Sequence, residues 1–203
     1  MKKYILILCL FLFPSCVQLA ATNSVLTEKA TRTHRTIEQV RKDQTLEKEL
    51  RNTLKKELKI FAKINNIRRI GNYKVLVMEG RVFLIGNVAQ NEINNFIYNK
   101  VWENNKVREV VNELKISLED NERNSLKDFF IKRNIAWKFL TTGGVKSQNY
   151  DIIVDNGTAY IIGIADDDIE IRKVGHLAST ASGVREAVIH VMDKNDSRRV
   201  REY

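Results

Sequence analysis

Hydrophobic residues in this chain follow two periods that alternate along its length. Leu46, Leu50, Leu54 and Leu58 recur every fourth residue among Glu47, Lys48, Arg51, Lys55 and Lys56. That one-sided stripe predicts a helix over residues 45–60, and core packing accounts for all of it. Residues 73–77 then read as an alternating strand, Glu79-Gly80 interrupts, and residues 82–88 resume an apolar run. Two strands joined by a tight turn are predicted, with Gly86 inside the second marking a bulge or the close approach of another backbone. A second helix over 90–103 and a last strand over 107–116 complete the set.

The set then repeats. Shifted by 77 residues, Tyr73, Val75, Val77, Gly80, Ile85 and Gly86 fall on Tyr150, Ile152, Val154, Gly157, Ile162 and Gly163. In the same register, without a gap, Val107, Arg108, Glu109 and Val111 fall on Val184, Arg185, Glu186 and Val188. Agreement of separate stretches in one register excludes coincidence. The second copy predicts helices over 125–140 and 167–181 and strands over 150–154, 159–165 and 184–192. Its turn, Asn156-Gly157, tolerates positive φ at both positions and is the strongest short hairpin signal. The predicted fold class is α+β: two tandem αββαβ modules, each a small mixed three-stranded sheet covered by two helices. The uncovered face of each sheet would be apolar, so the modules are expected to pack together.

The first helix of the second copy has two apolar stripes. Ile131, Ile135 and Phe139 should face the sheet, while Phe130 and Trp137 share another face with Leu126 and Arg133. At about 100° per residue that face lies roughly 120–140° from the core stripe. Lys127, Lys132, Arg133 and Lys138 against Asp128 give the helix a formal charge of +3. Aromatic rings beside cations suit a membrane interface, where rings sit at headgroup depth and cations meet lipid phosphates. Phe130, Arg133, Trp137, Lys127 and Lys138 are therefore the candidate lipid-binding residues. Packing of Phe130 and Trp137 against the first copy is the other use of this face, and the two are not exclusive.

The N-terminus changes the compartment. Lys2-Lys3 precede an apolar run over 5–13, far short of the about 20 residues that span a bilayer but of the length of a secretory h-region. Ser15-Cys16 at its end resembles a bacterial lipobox, although Phe13 and Pro14 depart from the residues usual there. Residues 1–15 are read as a signal peptide and Cys16 as an acylated first residue. Cleavage near Ala20-Ala21 and an uncleaved anchor are the alternatives. Cys9 and Cys16 are the only cysteines, so the folded part is expected to hold no disulfide and no thiolate metal site. Without Lys2 and Lys3 the formal net charge falls from +9 to +7, which favours anionic partners. Export makes these an anionic phospholipid membrane rather than nucleic acid. Residues 16–43 read as a polar tether, 44–116 and 125–193 as the modules, 117–124 as a linker and 194–203 as a charged tail.

The pattern Gly-x-h-x-h-x-Gly, a helix, then Gly-Val-x-x-Val resembles the BON domain. Gly157, Gly163, Gly183, Val184 and Val188 form it in the second copy, with Val188 one residue beyond the motif's spacing and Ala165 where the family often has valine. Gly80, Gly86, Val88, Val107 and Val110 form it in the first, where Lys106 replaces the last glycine. Signal, lipobox-like cysteine, tether and two such modules together resemble the dual BON-domain outer-membrane lipoproteins. The resemblance implies a protein on the periplasmic face of the outer membrane that binds anionic phospholipid and supports envelope integrity. Val17 after the cysteine, rather than Asp, fits that family's outer-membrane sorting.

Other chemistry is thin. Asp166-Asp167-Asp168 stands where a helix begins, so its carboxylates are expected to cap free N–H groups rather than hold a cation. His34, His176 and His190 are not spaced with one another or with a carboxylate as a metal or catalytic set. Gly143-Gly144 lacks the Lys-Ser/Thr of a phosphate loop and reads as a helix stop. No enzyme, cofactor or small-molecule substrate is expected. The competing function is a periplasmic scaffold that holds envelope proteins, with lipid only as its tether.

Overall fold

The computed structural model describes residues 34–117 and 125–199. The expected signal peptide, Cys16, most of the tether and residues 118–124 of the linker lie outside the described residues. The first module runs α1 (Ile37–Ile64), β1 (Gly71–Met78), β2 (Arg81–Val88), α2 (Asn91–Trp102) and β3 (Glu109–Ile116). The second runs α3 (Ser125–Thr141), β4 (Tyr150–Asp155), β5 (Thr158–Ala165), α4 (Asp168–Ser179) and β6 (Glu186–Asp193). In each sheet the middle strand pairs antiparallel with the first and parallel with the last. This is the mixed αββαβ module that the two hydrophobic periods predict.

Helix α1 begins at Ile37 rather than at residue 45, within the stretch read as tether. Thr36 and Gln39 form a reciprocal capping box, each side chain accepting from the other's backbone N–H at 3.1 and 2.7 Å. The first turns escape the hydrophobic period because their buried residues include polar ones. Asp43 is 2% exposed, and its carboxylate accepts from the N–H groups of Glu79 and Gly80 at 3.0 and 3.1 Å. Asp128 does the same for Asn156 and Gly157 at 2.7 and 2.9 Å. Both turns have positive φ at both central residues, 52° and 71° in the first module and 47° and 77° in the second, as a type I′ hairpin requires. A helix carboxylate thus pins each hairpin tip.

These pins also correct the repeat register. Asp43 and Gly80 are 37 residues apart and Asp128 and Gly157 only 29, so the first module has eight more residues between its pinning aspartate and its hairpin, all of them in the longer helix α1. Leu46, Leu50 and Leu54 therefore correspond to Ile131, Ile135 and Phe139. Gly86 lies opposite Tyr73 in an unbroken ladder, where a Cβ would meet the Asn72 carbonyl at 2.4 Å. Close backbone approach, not a bulge, explains that glycine. At the last turn Gly183 has φ 88°. Its counterpart Lys106 is instead held by its N–H on Asn104 Oδ1 at 3.0 Å and its Nζ on Glu49 at 2.8 Å.

Helices cover one face of each sheet, and the other faces pack back to back. Met78, Phe83 and Ile85 meet Tyr160, Ile162 and Ile164 in a buried apolar seam, so β2 and β5 are buried along their whole length. Glu113 and His190 approach to 3.0 Å across the seam and are 77 residues apart, which is the repeat offset itself. A residue that touches its own equivalent lies on the symmetry axis, so the modules are related by a pseudo-two-fold.

Both ends of the described chain close over this seam. The charged tail folds back, and Arg199 meets Glu79 at 2.6 Å with side chains 5% and 0% exposed. Arg199 also donates to the carbonyls of His34 at 2.9 Å and Lys194 at 2.6 Å.

Candidate functional site

Helix α3 presents the second module's distinguishing surface. Ile131, Ile135 and Phe139 are buried on the sheet, as their spacing predicts. Phe130 and Trp137 point the other way and are 65% and 66% exposed, with Leu126 and Leu140 as open. Leu126, Phe130, Arg133, Trp137 and Leu140 step by four and three residues, so they form one line along the outer face. Neither aromatic packs into the first module: the seam between modules is made by strands instead.

Two residues beyond the sequence reading join this face. Phe129 is half-exposed, its ring 5.7 Å from that of Phe130 and edge-on to it at 72°. The Arg133 guanidinium lies 5.8 Å from the Phe129 ring centre, within cation–π reach. Leu140 extends the line at its far end. The 4-3 spacing from Leu126 was the signal for Leu140; the Phe129–Arg133 i,i+4 relation was the signal for Phe129. Among the cations, Lys127, Lys132 and Arg133 are exposed. Lys138 is partly engaged, donating to the Thr180 carbonyl at 2.9 Å and its hydroxyl at 3.3 Å, at the C-terminal cap of α4.

The fold does not require this apolar line. In the corrected register its five positions correspond to Arg41, Thr45, Lys48, Asn52 and Lys55 of α1, all hydrophilic. The two helices share a core stripe and a turn-pinning aspartate yet have opposite outer faces.

The remaining polar groups serve the architecture. Asp167 caps α4 by accepting from the Glu170 N–H at 2.8 Å. Asp166 instead gathers Lys146 at 2.6 Å, His34 at 3.0 Å and Lys194 at 3.3 Å, and the Lys146 hydrogen bond holds its carboxyl below the ordinary range. His34 and His190 each acquire a carboxylate neighbour from a distant segment, Asp166 and Glu113, which no local spacing could announce. Burial lowers the pKa of His34. Among the described residues no helix is long and apolar enough to cross a membrane.

The described chain is thus a pair of mixed sheets packed back to back, with one helix that turns an apolar-cationic line outward. The BON domain family matches residues 127–191, from the second residue past the start of α3 nearly to the end of β6. An uncharacterized protein in the gshII 5′ region of Anaplasma centrale is 31% identical over 129 residues, covering 62% of this chain and 83% of that one. The outer membrane lipoprotein DolP of Haemophilus influenzae is 26% identical over 146 residues, 72% of each chain. This chain belongs to the BON-domain lipoprotein family. Among solved structures, CdsD, a structural protein of the type III secretion system of Chlamydia trachomatis, aligns over 60% of this chain and 85% of its own at 14% identity. Its TM-score of 0.29 is too low to bear on fold or function.

Proposed function

We propose that this protein is a lipid-anchored binding protein of the outer membrane, facing the periplasm, that docks on anionic phospholipid through the outer face of α3 and supports envelope integrity. The observation behind this reading is the exposed line from Leu126 to Leu140 with Arg133 at its centre. Large apolar side chains in one contiguous exposed patch are uncommon on soluble monomers and mark interaction surfaces. Here the flanking charges are cations, and the equivalent face of α1 is hydrophilic. Phe130, Phe129 and Trp137 would sit among acyl chains and headgroups, while Arg133, Lys127 and Lys132 meet phosphates. Lys138 contributes less, because its ammonium is already tied to Thr180.

Cys16 supplies the second membrane signal in this reading. One acyl chain or one amphipathic face alone binds reversibly, and two together give stable attachment. Among the described residues no nucleophile, base and oxyanion donor come together, and the reading is of binding rather than catalysis.

The deciding experiment is flotation of the full chain lacking residues 1–16 with vesicles of phosphatidylcholine, with and without phosphatidylglycerol. Binding to the anionic vesicles alone is expected. Phe130→Ala with Trp137→Ala should abolish it, since each fully buried ring contributes roughly 1.5–3 kcal/mol. Normal flotation of that double variant with a lowered melting temperature would assign the face to protein packing instead. Intact mass of the membrane-extracted protein should show an acylated chain starting at Cys16; an unmodified chain starting near Ala21 would remove the anchor from the reading.

A further inference from the structure

The two modules treat their equivalent edge strands differently. In a two-residue hairpin the pair flanking the turn is hydrogen-bonded, so on β1 the main-chain groups of Val75 and Val77 point away from β2, and on β4 those of Ile152 and Val154 point away from β5. On β1 helix α1 covers them. Arg51 donates to the Val75 carbonyl at 2.8 Å through Nη2, and Glu47 accepts from the Val77 N–H at 3.2 Å. The α3 positions equivalent to Glu47 and Arg51 are Lys132 and Ala136, in the register set by Asp43 and Asp128. A lysine cannot accept from an N–H, and an alanine cannot donate to a carbonyl.

The β4 edge is therefore left with the Ile152 N–H and carbonyl and the Val154 N–H facing outward. The Val154 carbonyl is held by Lys74 Nζ at 3.2 Å, and the Tyr150 N–H is used within its own turn on the Ser147 carbonyl. Along this edge runs a groove of about 410 Å³ between the modules. Phe129 and Lys132 of α3 form one wall, and Arg51 and Lys74 of the first module stand on the other.

We propose that this groove binds an extended polypeptide segment, which adds to β4 as a fourth strand of the second sheet. An open strand edge is a template for another backbone. Its recessed position between two walls admits a lone strand, whereas the edge of a second folded copy would bring its own walls into collision. Alternate side chains of an added strand face opposite ways: one set meets Phe129 and Lys132, the other Arg51 and Lys74. The segment that fits alternates apolar residues with acidic ones that meet Arg51, Lys74 and Lys132; Asp128, Asp151 and Asp155, which also line the groove, already have partners. The groove shares Phe129 and Lys132 with the docking face and lies apart from Leu126, Phe130, Trp137 and Leu140.

The test uses the full chain lacking residues 1–16 and an alternating valine–glutamate octapeptide, followed by backbone amide NMR. Saturable shifts centred on Ile152 and Val154 are expected, with the Val154 amide gaining protection from hydrogen exchange. The same peptide N-methylated at alternate residues keeps its side chains but loses its donors, and should bind at least tenfold more weakly. Lys132→Glu with Ala136→Arg rebuilds the covering pair of α1 on α3 and should abolish peptide binding. Because Lys132 also meets phosphates in membrane docking, vesicle flotation is compared for Ala136→Arg alone, which should not weaken it. Both positions are exposed, and Ala136→Arg alone, which caps only the Ile152 carbonyl, provides a milder variant that should weaken binding. Equal binding of the N-methylated peptide, indifference to both variants, no shift at millimolar peptide, or concentration-dependent pairing of the chain through β4 would each overturn the proposal.

Discussion

At the scale of single residues, the strongest local determinants are polar groups that do buried work. Asp128 accepts two backbone N–H groups at a turn tip, and a carboxylate in that position makes bonds stronger than neutral ones. Asp128→Ala should cost about 1–3 kcal/mol by urea denaturation with an unchanged slope. Asp43→Ala should cost more, because it also strips buried Arg35 of a partner 3.2 Å away. Two glycines give opposite signs. A Cβ at Gly163 would meet the Tyr150 ring at 2.4 Å and the Asn149 carbonyl at 2.5 Å, so Gly163→Ala should destabilise by about 1–3 kcal/mol through overpacking. Gly175 lies within α4 with its nearest neighbour 3.7 Å from a built Cβ. Gly175→Ala should raise stability by about 0.5–1 kcal/mol from helix propensity alone.

At the scale of elements, α1 and α3 are the same helix with different duties. Both pin a hairpin and cover a sheet, but only α3 has an apolar outer line. Arg133→Glu should weaken binding to anionic vesicles most at low salt, because screening limits charge to about 10 Å at 0.1 M. Lys55→Glu on α1, at the position equivalent to Leu140, should leave flotation unchanged. Lys138→Ala should affect vesicle binding less than Lys127→Ala, since Lys138 is spent on the end of α4. The reverse order would show that the Thr180 contact gives way at a membrane.

At the scale of the whole molecule, the back-to-back seam makes the modules one cooperative body. A single thermal transition is expected by calorimetry. Ile162→Ala, at a fully buried seam position, should lower that one transition by about 2–5 kcal/mol rather than split it. The end clasp adds a second link. Arg199→Ala leaves the Glu79 carboxylate buried without its partner, a loss of about 3–5 kcal/mol where such pairs are broken from one side. Acid should loosen the same clasp through His34. Burial puts its folded pKa below the ordinary 6.5, so the unfolded chain takes up the proton first. Stability conferred by neutral His34 is complete above that value and is lost as pH falls toward the folded pKa. His34→Gln should flatten the stability profile over that interval, and an unchanged slope would discount the histidine.

Much of this was legible in the sequence because it depends on local period and on repetition. The leucine stripe of α1, the alternation of β1, Asn156-Gly157 and the 77-residue offset are statements about neighbours along the chain, and α+β tandem modules follow from them. The outer line of α3 was legible too, since Phe130, Arg133 and Trp137 need only helical geometry to share a face. The tertiary structure decided what depends on contacts between distant segments. It started α1 at Ile37, because Asp43 is anchored by a turn beyond the next strand. It showed the eight-residue difference between modules, which strand alignment alone conceals. It left Phe130 and Trp137 in solvent, because the apolar backs of the two sheets satisfy each other and require no helix between them. It joined Arg199 to Glu79, 120 residues apart, a pairing that charge patterns along a chain do not encode. Periodicity determines which face of an element is apolar; only the packed molecule determines what, if anything, covers it.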